Sequence, residues 1–162
     1  MKRKWTVAPG IALLLILAMA SSAAAAGPAP PFTSEQVLGW ALYFDKNLSI
    51  NRNQSCASCH TPAVGFDDPD SNLPVSRGSI LTKFGGRNAP SSAYAAFAPA
   101  FSINADGLWE GGQFWDGRVN NPAEQAAGPP TNPVEMALKD HKAVVRRLAE
   151  NPAYVIAFRA LY

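Results

Sequence analysis

The residues best suited to chemistry lie in residues 56–60, which contain both cysteines of the 162-residue chain and one of its two histidines. The spacing C-x-x-C puts the two thiols three residues apart, on one side of a single helical turn. From there both can reach the two vinyl groups of a porphyrin and form thioether bonds. The next residue, His60, is held where its imidazole can bind the iron. The pattern C-x-x-C-H therefore predicts a covalently attached haem c, with Cys56 and Cys59 as its anchors.

Three other roles for this motif fit less well. A thioredoxin-like motif should lie beside a βαβ pattern, and no Val/Ile-rich run flanks the segment. A structural zinc site takes four ligands, whereas His141 is the one further Cys or His in the chain. A disulfide between Cys56 and Cys59 would leave the adjoining histidine unexplained.

The N-terminal residues have the composition of an export signal. Basic residues at positions 2–4 precede an apolar run at 11–20 and small residues at 21–26, which is the signal-peptide pattern. The apolar run is shorter than the ~20 residues that a membrane span needs. We therefore expect residues 1–26 to be a cleaved signal peptide, residues 27–32 to be a flexible leader, and the mature protein to be periplasmic.

Composition limits the function classes that remain. A chain of this length predicts one domain, and 48% hydrophobic residues suffice for a core, while 12 Gly and 14 Pro indicate many loops. Three of the 14 basic residues belong to the signal segment, so 11 remain against 12 acidic residues. No basic surface for nucleic acid is expected. In an oxidising compartment free thiols tend to pair, and attachment to haem would give both cysteines a stable state.

The first half of the mature chain predicts one helix before the haem motif. This helix reads from Thr33 to about Phe44, with Thr33 and Gln36 as a capping box. A polar stretch then leads into a short helix that carries the motif. No strand or strong helix is predicted from there to Asn88, so this region reads as a long loop.

Two helices are predicted in the second half. Asn132 is expected to cap a helix with Glu135 at its third position, continuing through Leu148. Asn151 repeats the signature and begins a last helix that runs into Tyr162. The predicted fold is an all-α, cytochrome c-like haem domain with long loops.

Haem attachment alone does not separate an electron carrier from an enzyme. Carriers close the second axial position of the iron with Met or His, whereas peroxidases leave it open. Met136 is the one methionine beyond the signal segment and could be that ligand in a mono-haem electron carrier. Its neighbour Glu135 could instead move a proton between the two oxygens of peroxide and promote cleavage of their bond. A glutamate at the third helical position also caps its own helix, and both roles can coexist.

Four further side chains are candidates, each with an ordinary alternative. Gln125 could donate a hydrogen bond to peroxide, and Trp115 could stack near a haem edge and assist electron transfer. Taken singly, they are more often a surface amide and a core aromatic. Arg87 and Arg118 could pair with haem propionates through bidentate hydrogen bonds, although exposed arginine is the common default.

Several segments, in the same order, resemble the bacterial di-haem cytochrome c peroxidase family, which includes the methylamine-utilisation di-haem enzyme. The matching segments cover most of the mature chain: residues 42–45, 48–49, 55–60, 65–66, 86–91, 114–118, 124–129 and 132–136. The resemblance implies that the haem held by His60 reacts with peroxide, and that Glu135, Gln125 and Trp115 are functional residues. It implies reduction of hydrogen peroxide to water, with electrons from a small periplasmic cytochrome c or copper protein.

The resemblance carries further expectations. An asparagine that helps to bind calcium in relatives corresponds to Asn88. Family members also have a second C-x-x-C-H and a later methionine ligand, which residues 33–162 do not contain, so this chain is expected to be the N-terminal, one-haem portion of such an enzyme. Many relatives close the iron with a histidine in the loop before R-N-x-P. Residues 61–90 contain no histidine, so we predict no such gate. A homodimer is left open.

Overall fold

A computed structural model describes residues 34–162. The predicted signal peptide, the leader and Thr33 lie outside these residues. Regular structure in the described part is almost entirely helical, with five α-helices: α1 Glu35–Phe44, α2 Cys56–Cys59, α3 Pro122–Ala126, α4 His141–Ala149 and α5 Pro152–Leu161. Short 3-10 turns are interspersed at Lys46–Leu48, Pro62–Val64, Ala95–Phe97 and Pro129–Thr131. The mostly helical class predicted from the sequence is confirmed.

One small sheet adds to this class. Strands β1 Ser102–Ile103 and β2 Trp109–Glu110 pair antiparallel, with Ser102 opposite Glu110. No strand was predicted here, so this sheet is an addition to the mostly helical fold. Two residues per strand are too few to show the alternation by which strands are recognised in a sequence.

Helix α1 begins at Glu35, two residues after the predicted start at Thr33, and ends at Phe44 as predicted. Its N-cap is Ser34, whose hydroxyl accepts a hydrogen bond from the Val37 N–H at 3.3 Å; the predicted capping box involves Thr33, which lies outside the described residues. The helix buries Leu38 against Tyr154 and Ala157 of α5. This cluster brings the first and last described helices together in the core.

The helix predicted from Asn132 through Leu148 was wrong in its first half. Residues 132–137 form a turn in which the Ala137 N–H donates to the Asn132 carbonyl at 2.9 Å, with Ala137 in the left-handed region at φ 61°. The carbonyls that would continue a helix are bound from elsewhere: Ser79 N–H donates to Glu135 O, and Ile50 N–H to Met136 O. These distant donors replace the helical hydrogen bonds.

The helices that follow have ordinary caps. α4 starts at His141, where the Asp140 carboxylate accepts from the Ala143 N–H at 2.7 Å. α5 starts after Asn151, whose side chain accepts from the Ala153 N–H at 3.0 Å, as the sequence predicted. Within residues 34–162, none of the helices has the length and apolar character needed to cross a membrane.

Between the 3-10 turns Pro62–Val64 and Ala95–Phe97, the described chain has neither helix nor strand. Isolated bridges at Thr61–Asp67 and Arg77–Phe84 fold this segment back on itself. Ser79 within it is fully buried. The segment is therefore tied to the rest of the domain by hydrogen bonds rather than by regular structure.

Candidate functional site

Helix α2 puts the two cysteines in register. The helix is one turn long, and the N–H of the preceding Ser55 donates to the Ser58 hydroxyl at 3.0 Å, which fixes its start. Cys56 and Cys59 are both free and partly buried. The pKa of each thiol is raised, chiefly by burial. A dithiol redox motif works with a lowered cysteine pKa, so this environment disfavours that alternative.

His60 ends the helix, and its backbone is held at both polar groups. Its N–H donates to the Cys56 carbonyl at 3.0 Å, and its own carbonyl accepts from the Tyr43 hydroxyl at 2.5 Å. The ring nitrogen Nδ1 is buried and has no hydrogen-bond partner among the described residues. A buried polar atom without a partner is unfavourable, and such an orphan is expected where a bound group completes the surroundings.

These residues open onto a cavity of about 390 Å³. Both cysteines and His60 line it, together with the predicted residues Gln125, Glu135 and Met136. The volume lies within the usual range of roughly 300 to 1,000 Å³ for cofactor sites. Much of the remaining wall is apolar, as a porphyrin requires: Ala89, Pro90, Ala95, Phe114, Pro122, Ala126 and Pro129. Two sulfurs in register, an imidazole with an unpaired nitrogen and an apolar cavity fit a c-type haem.

Glu135 is a partly buried carboxylate at this cavity. It accepts a hydrogen bond from the Asn132 side chain at 2.8 Å. Burial raises the pKa of Glu135, while the nearby positive charge of Arg118 and the hydrogen bond from Asn132 oppose the rise. A carboxyl group with a raised pKa is better matched to accepting and returning a proton near neutral pH. Because residues 132–137 are not helical, the predicted helix-capping role of Glu135 was wrong.

The two other predicted cavity residues come from different parts of the chain. Gln125 lies on α3, which Asn121 caps by accepting from the Glu124 N–H at 2.9 Å. Met136 is only 3% exposed and follows Glu135 directly. The structure thus brings the carboxylate of the peroxidase hypothesis and the thioether of the carrier hypothesis to one cavity.

Trp115 lies outside the cavity lining. Its side chain is 62% exposed, and its indole N–H donates to the Asn88 carbonyl at 2.8 Å. Asn88 also donates weakly from its side chain to the Pro74 carbonyl at 3.4 Å. Within residues 34–162, no three His, Cys, Asp or Glu side chains are grouped to hold a metal ion. The electron-transfer role of Trp115 and the calcium role of Asn88 stay predictions.

The two predicted propionate ligands share one acidic partner. Arg87 and Arg118 each contact the Asp116 carboxylate at 2.8 Å. The guanidinium of Arg118 also lies 3.5 Å from the ring centre of Phe114, which lines the cavity. Their hydrogen bonds lower the pKa of Asp116 to about 2. These arginines stand next to the cavity wall, and their binding of propionates stays a prediction.

Two further polar residues, His141 and Gln54, differ in their position relative to the cavity. His141 bonds through Nε2 to the Ala127 carbonyl at 3.0 Å and does not line the cavity. Gln54 is buried, and its amide donates to the Arg77 carbonyl at 2.7 Å and to the sulfur of Cys59 at 3.4 Å. Sequence reasoning missed Gln54 and Tyr43, since one glutamine before a capping serine and one aromatic on a helix carry no distinguishing pattern.

Comparison with known proteins matches most of this chain to one family. Residues 33–162 match the family model described as di-haem cytochrome c peroxidase. The chain is 44% identical to the methylamine utilization protein MauG of Paracoccus denitrificans over 153 residues, which is 93% of this chain and 39% of that protein. It is 34% identical to the cytochrome c peroxidase Ccp of Escherichia coli over 134 residues, covering 82% of this chain and 25% of that protein.

A solved structure agrees in shape. The diheme peroxidase BthA from Burkholderia thailandensis matches with a TM-score of 0.68 and 35% identity, over 74% of this chain and 30% of that chain. The present chain therefore spans well under half the length of these relatives.

Proposed function

We propose, since the chain belongs to the di-haem cytochrome c peroxidase family, that it is a haem-binding domain which reduces hydrogen peroxide to water. The observation that supports this most is the shared cavity. The carboxylate of Glu135 lines the same space as Cys56, Cys59 and His60. An acid–base group and a haem attachment motif so placed can act on one small substrate.

In this proposal, haem attachment, iron binding and proton transfer fall on different residues. Cys56 and Cys59 would hold the haem through thioethers, and His60 would bind its iron. The bound haem supplies an iron to which peroxide can bind and through which electrons reach it. Glu135 takes a proton from one peroxide oxygen and returns it to the other, while Gln125 donates a hydrogen bond that orients the substrate. With two protons and two electrons, the two oxygens leave as two water molecules.

The electrons come from a reduced partner. In this proposal the donor is a small cytochrome c or copper protein in the periplasm. It reduces the haem directly or through a second haem, as the family name di-haem suggests. Export would rest on residues 1–26 as a signal peptide.

The test is to express the protein with a c-type haem maturation system and to compare two glutamate variants. Alkaline pyridine absorption should first establish covalent haem. Glu135→Gln should lower the rate of peroxide consumption about 10²-fold to 10⁴-fold, the usual contribution of a general acid–base group. Glu110→Gln makes the same change on exposed strand β2 and should leave the rate unchanged. A mature protein without covalent haem, or full activity in Glu135→Gln, would overturn the proposal.

A second candidate function is kept because Met136 is buried at the same cavity. As a sixth ligand it would make the domain a mono-haem electron carrier. A sulfur-to-iron charge-transfer band in the oxidised spectrum, lost in Met136→Leu, would favour the carrier. Its absence, together with peroxide turnover, would favour the peroxidase.

A further inference from the structure

The turn that carries Glu135 needs support from outside itself. Its residues lack the ladder of hydrogen bonds that a helix would supply. The Glu135 N–H donates to the Asn132 carbonyl at 3.0 Å within the turn, but the Glu135 carbonyl points away and accepts from the Ser79 N–H at 2.7 Å. The backbone position of Glu135 therefore depends on a residue 56 positions earlier in the chain.

Ser79 is itself held in a network of polar contacts. It is 0% exposed. Its hydroxyl donates to the Asn53 side-chain oxygen at 2.6 Å and accepts from the Asn51 N–H at 3.3 Å. Its carbonyl accepts from both asparagine side chains, at 2.9 Å and 3.0 Å. Buried polar groups that are all paired hold a unique geometry, and these asparagines lie just before the haem-attachment helix α2.

Gly78 allows the backbone at residues 78–79 to approach the turn closely enough for the Ser79 N–H to reach the Glu135 carbonyl. A Cβ at Gly78 would lie 2.4 Å from the Val134 carbonyl oxygen and 3.2 Å from that of Glu135. The φ of Gly78 is outside the left-handed region, so its conformation is open to other residues. Space is what demands glycine here, since only a residue without a side chain lets the two backbones meet.

We infer that Gly78 and Ser79 are positioning residues, which fix the backbone of Glu135 against the segment before the haem helix and so aim its carboxylate into the cavity. This inference rests on the proposed function, because it assigns the two residues a part in the work of Glu135. Neither residue touches the substrate in this assignment. They act through the turn.

The experiment compares glycine variants that add one methyl group. Gly78→Ala pushes the Val134 carbonyl away. The control Gly39→Ala, on α1, adds a Cβ that meets no described atom within 4 Å other than its chain neighbours and the backbone of its own helix. In the haem-loaded protein, Gly78→Ala should lower kcat about 10-fold to 100-fold, as expected for misplacement of a catalytic group by about 1 Å. KM for peroxide and haem content should stay near those of Gly39→Ala. Hydrogen–deuterium exchange at residues 132–137 should be faster in Gly78→Ala and unchanged in Gly39→Ala.

A double variant separates positioning from general damage. If Gly78 acts through Glu135, adding Gly78→Ala to Glu135→Gln should lower kcat no further, because coupled residues are not additive. Additive losses, or exchange and kcat equal to those of Gly39→Ala, would overturn the inference. Full activity in Glu135→Gln alone would instead overturn the proposed function, while the exchange measurement would still test the support of the turn.

A milder variant keeps the test available if Gly78→Ala does not fold. Ser79→Ala retains the N–H that binds Glu135 but removes the hydroxyl contacts with Asn51 and Asn53. Ser79→Ala should have smaller effects than Gly78→Ala but in the same direction. Hydrogen–deuterium exchange at residues 132–137 should be faster, and kcat should fall no further in the Glu135→Gln background. An unchanged exchange rate in Ser79→Ala would overturn the inference.

Discussion

The hydroxyl of Tyr43 donates a hydrogen bond to the carbonyl oxygen of His60 at 2.5 Å. Helix α1 is thereby tied to the residue that would bind the iron. The same hydroxyl lies 2.9 Å from the Ser92 hydroxyl, so a third segment joins at this point. Tyr43 therefore ties the end of helix α2 to helix α1 and to the segment that contains Ser92.

Tyr43→Phe should lower the free energy of unfolding by about 1 kcal/mol, because it removes the hydroxyl and little else. The matched control is Tyr94→Phe, at a ring that is 82% exposed, where the change should stay within about 0.5 kcal/mol. Chemical denaturation followed by circular dichroism measures both. Equal effects at the two positions would contradict the role given to Tyr43.

Glu135→Gln should stabilise the fold at neutral pH while it lowers activity. Burial raises the pKa of Glu135 above its ordinary value of 4.5, so the folded state favours the protonated form. Stability from this group is full below the ordinary pKa and is lost as pH rises through the raised one. A neutral glutamine has no charge to bury, so Glu135→Gln should have a higher free energy of unfolding than the natural chain at pH 7. This difference should vanish below about pH 4.5. Denaturation at several pH values measures it.

Glu150→Gln should change the free energy of unfolding in the opposite direction and is the comparison for Glu135→Gln. The hydrogen bond from Arg52 is the largest cause that lowers the pKa of Glu150. Stability from a lowered carboxyl is present above the ordinary pKa and is lost as pH falls through the lowered one. This variant should have a lower free energy of unfolding than the natural chain at pH 7. A higher free energy of unfolding, as expected for Glu135→Gln, would contradict a stabilising hydrogen bond from Arg52 to Glu150.

Asp116→Asn should destabilise the protein in a pH-dependent way. Arg87, then Arg118, lower the pKa of Asp116 from 3.8 to about 2. The stabilising contribution is therefore present above about pH 4 and fades as pH falls towards 2. The difference in unfolding free energy between Asp116→Asn and the natural chain should narrow over that range. A difference that stays constant as pH falls from about 4 to about 2 would contradict the role given to the two arginines.

Gln54→Leu should lower the free energy of unfolding by about 1 kcal/mol, the usual net contribution of one hydrogen bond. The variant leaves the Arg77 carbonyl without its amide donor and removes the contact to the Cys59 sulfur. Urea denaturation provides the value. A change below about 0.5 kcal/mol would mean that the buried amide contributes nothing to the fold.

Sequence patterns predicted a helix start correctly where neighbouring residues alone determine the local structure. The helix start at Asn151 followed from an N-cap residue and a proline, and the structure has both in place. The signature at Asn132 is of the same kind, yet it opens a turn. The difference lies in Ser79 and Ile50, whose N–H groups bind the carbonyls of Glu135 and Met136, and no window around Asn132 contains them.

The candidate site divides in the same way. Cys56, Cys59 and His60 are adjacent in sequence, so their joint chemistry was visible from spacing alone. Gln125 and Glu135 reach the same cavity only because α3 and the turn at residues 132–137 fold towards α2. Side-chain chemistry made them candidates with ordinary alternatives, and resemblance to a family strengthened the functional interpretation. The support by Gly78 and Ser79 has no local signature, since a glycine and a serine in a loop are ordinary.

The packing of α1 against α5 bears on the order of events during biosynthesis. Leu38 meets Tyr154 and Ala157 across more than a hundred residues. In a chain synthesised from its N-terminus, the segment with both cysteines emerges long before α5 exists to complete the core. We expect both sulfurs to be accessible to a haem-ligating enzyme at that stage, before α5 packs onto α1.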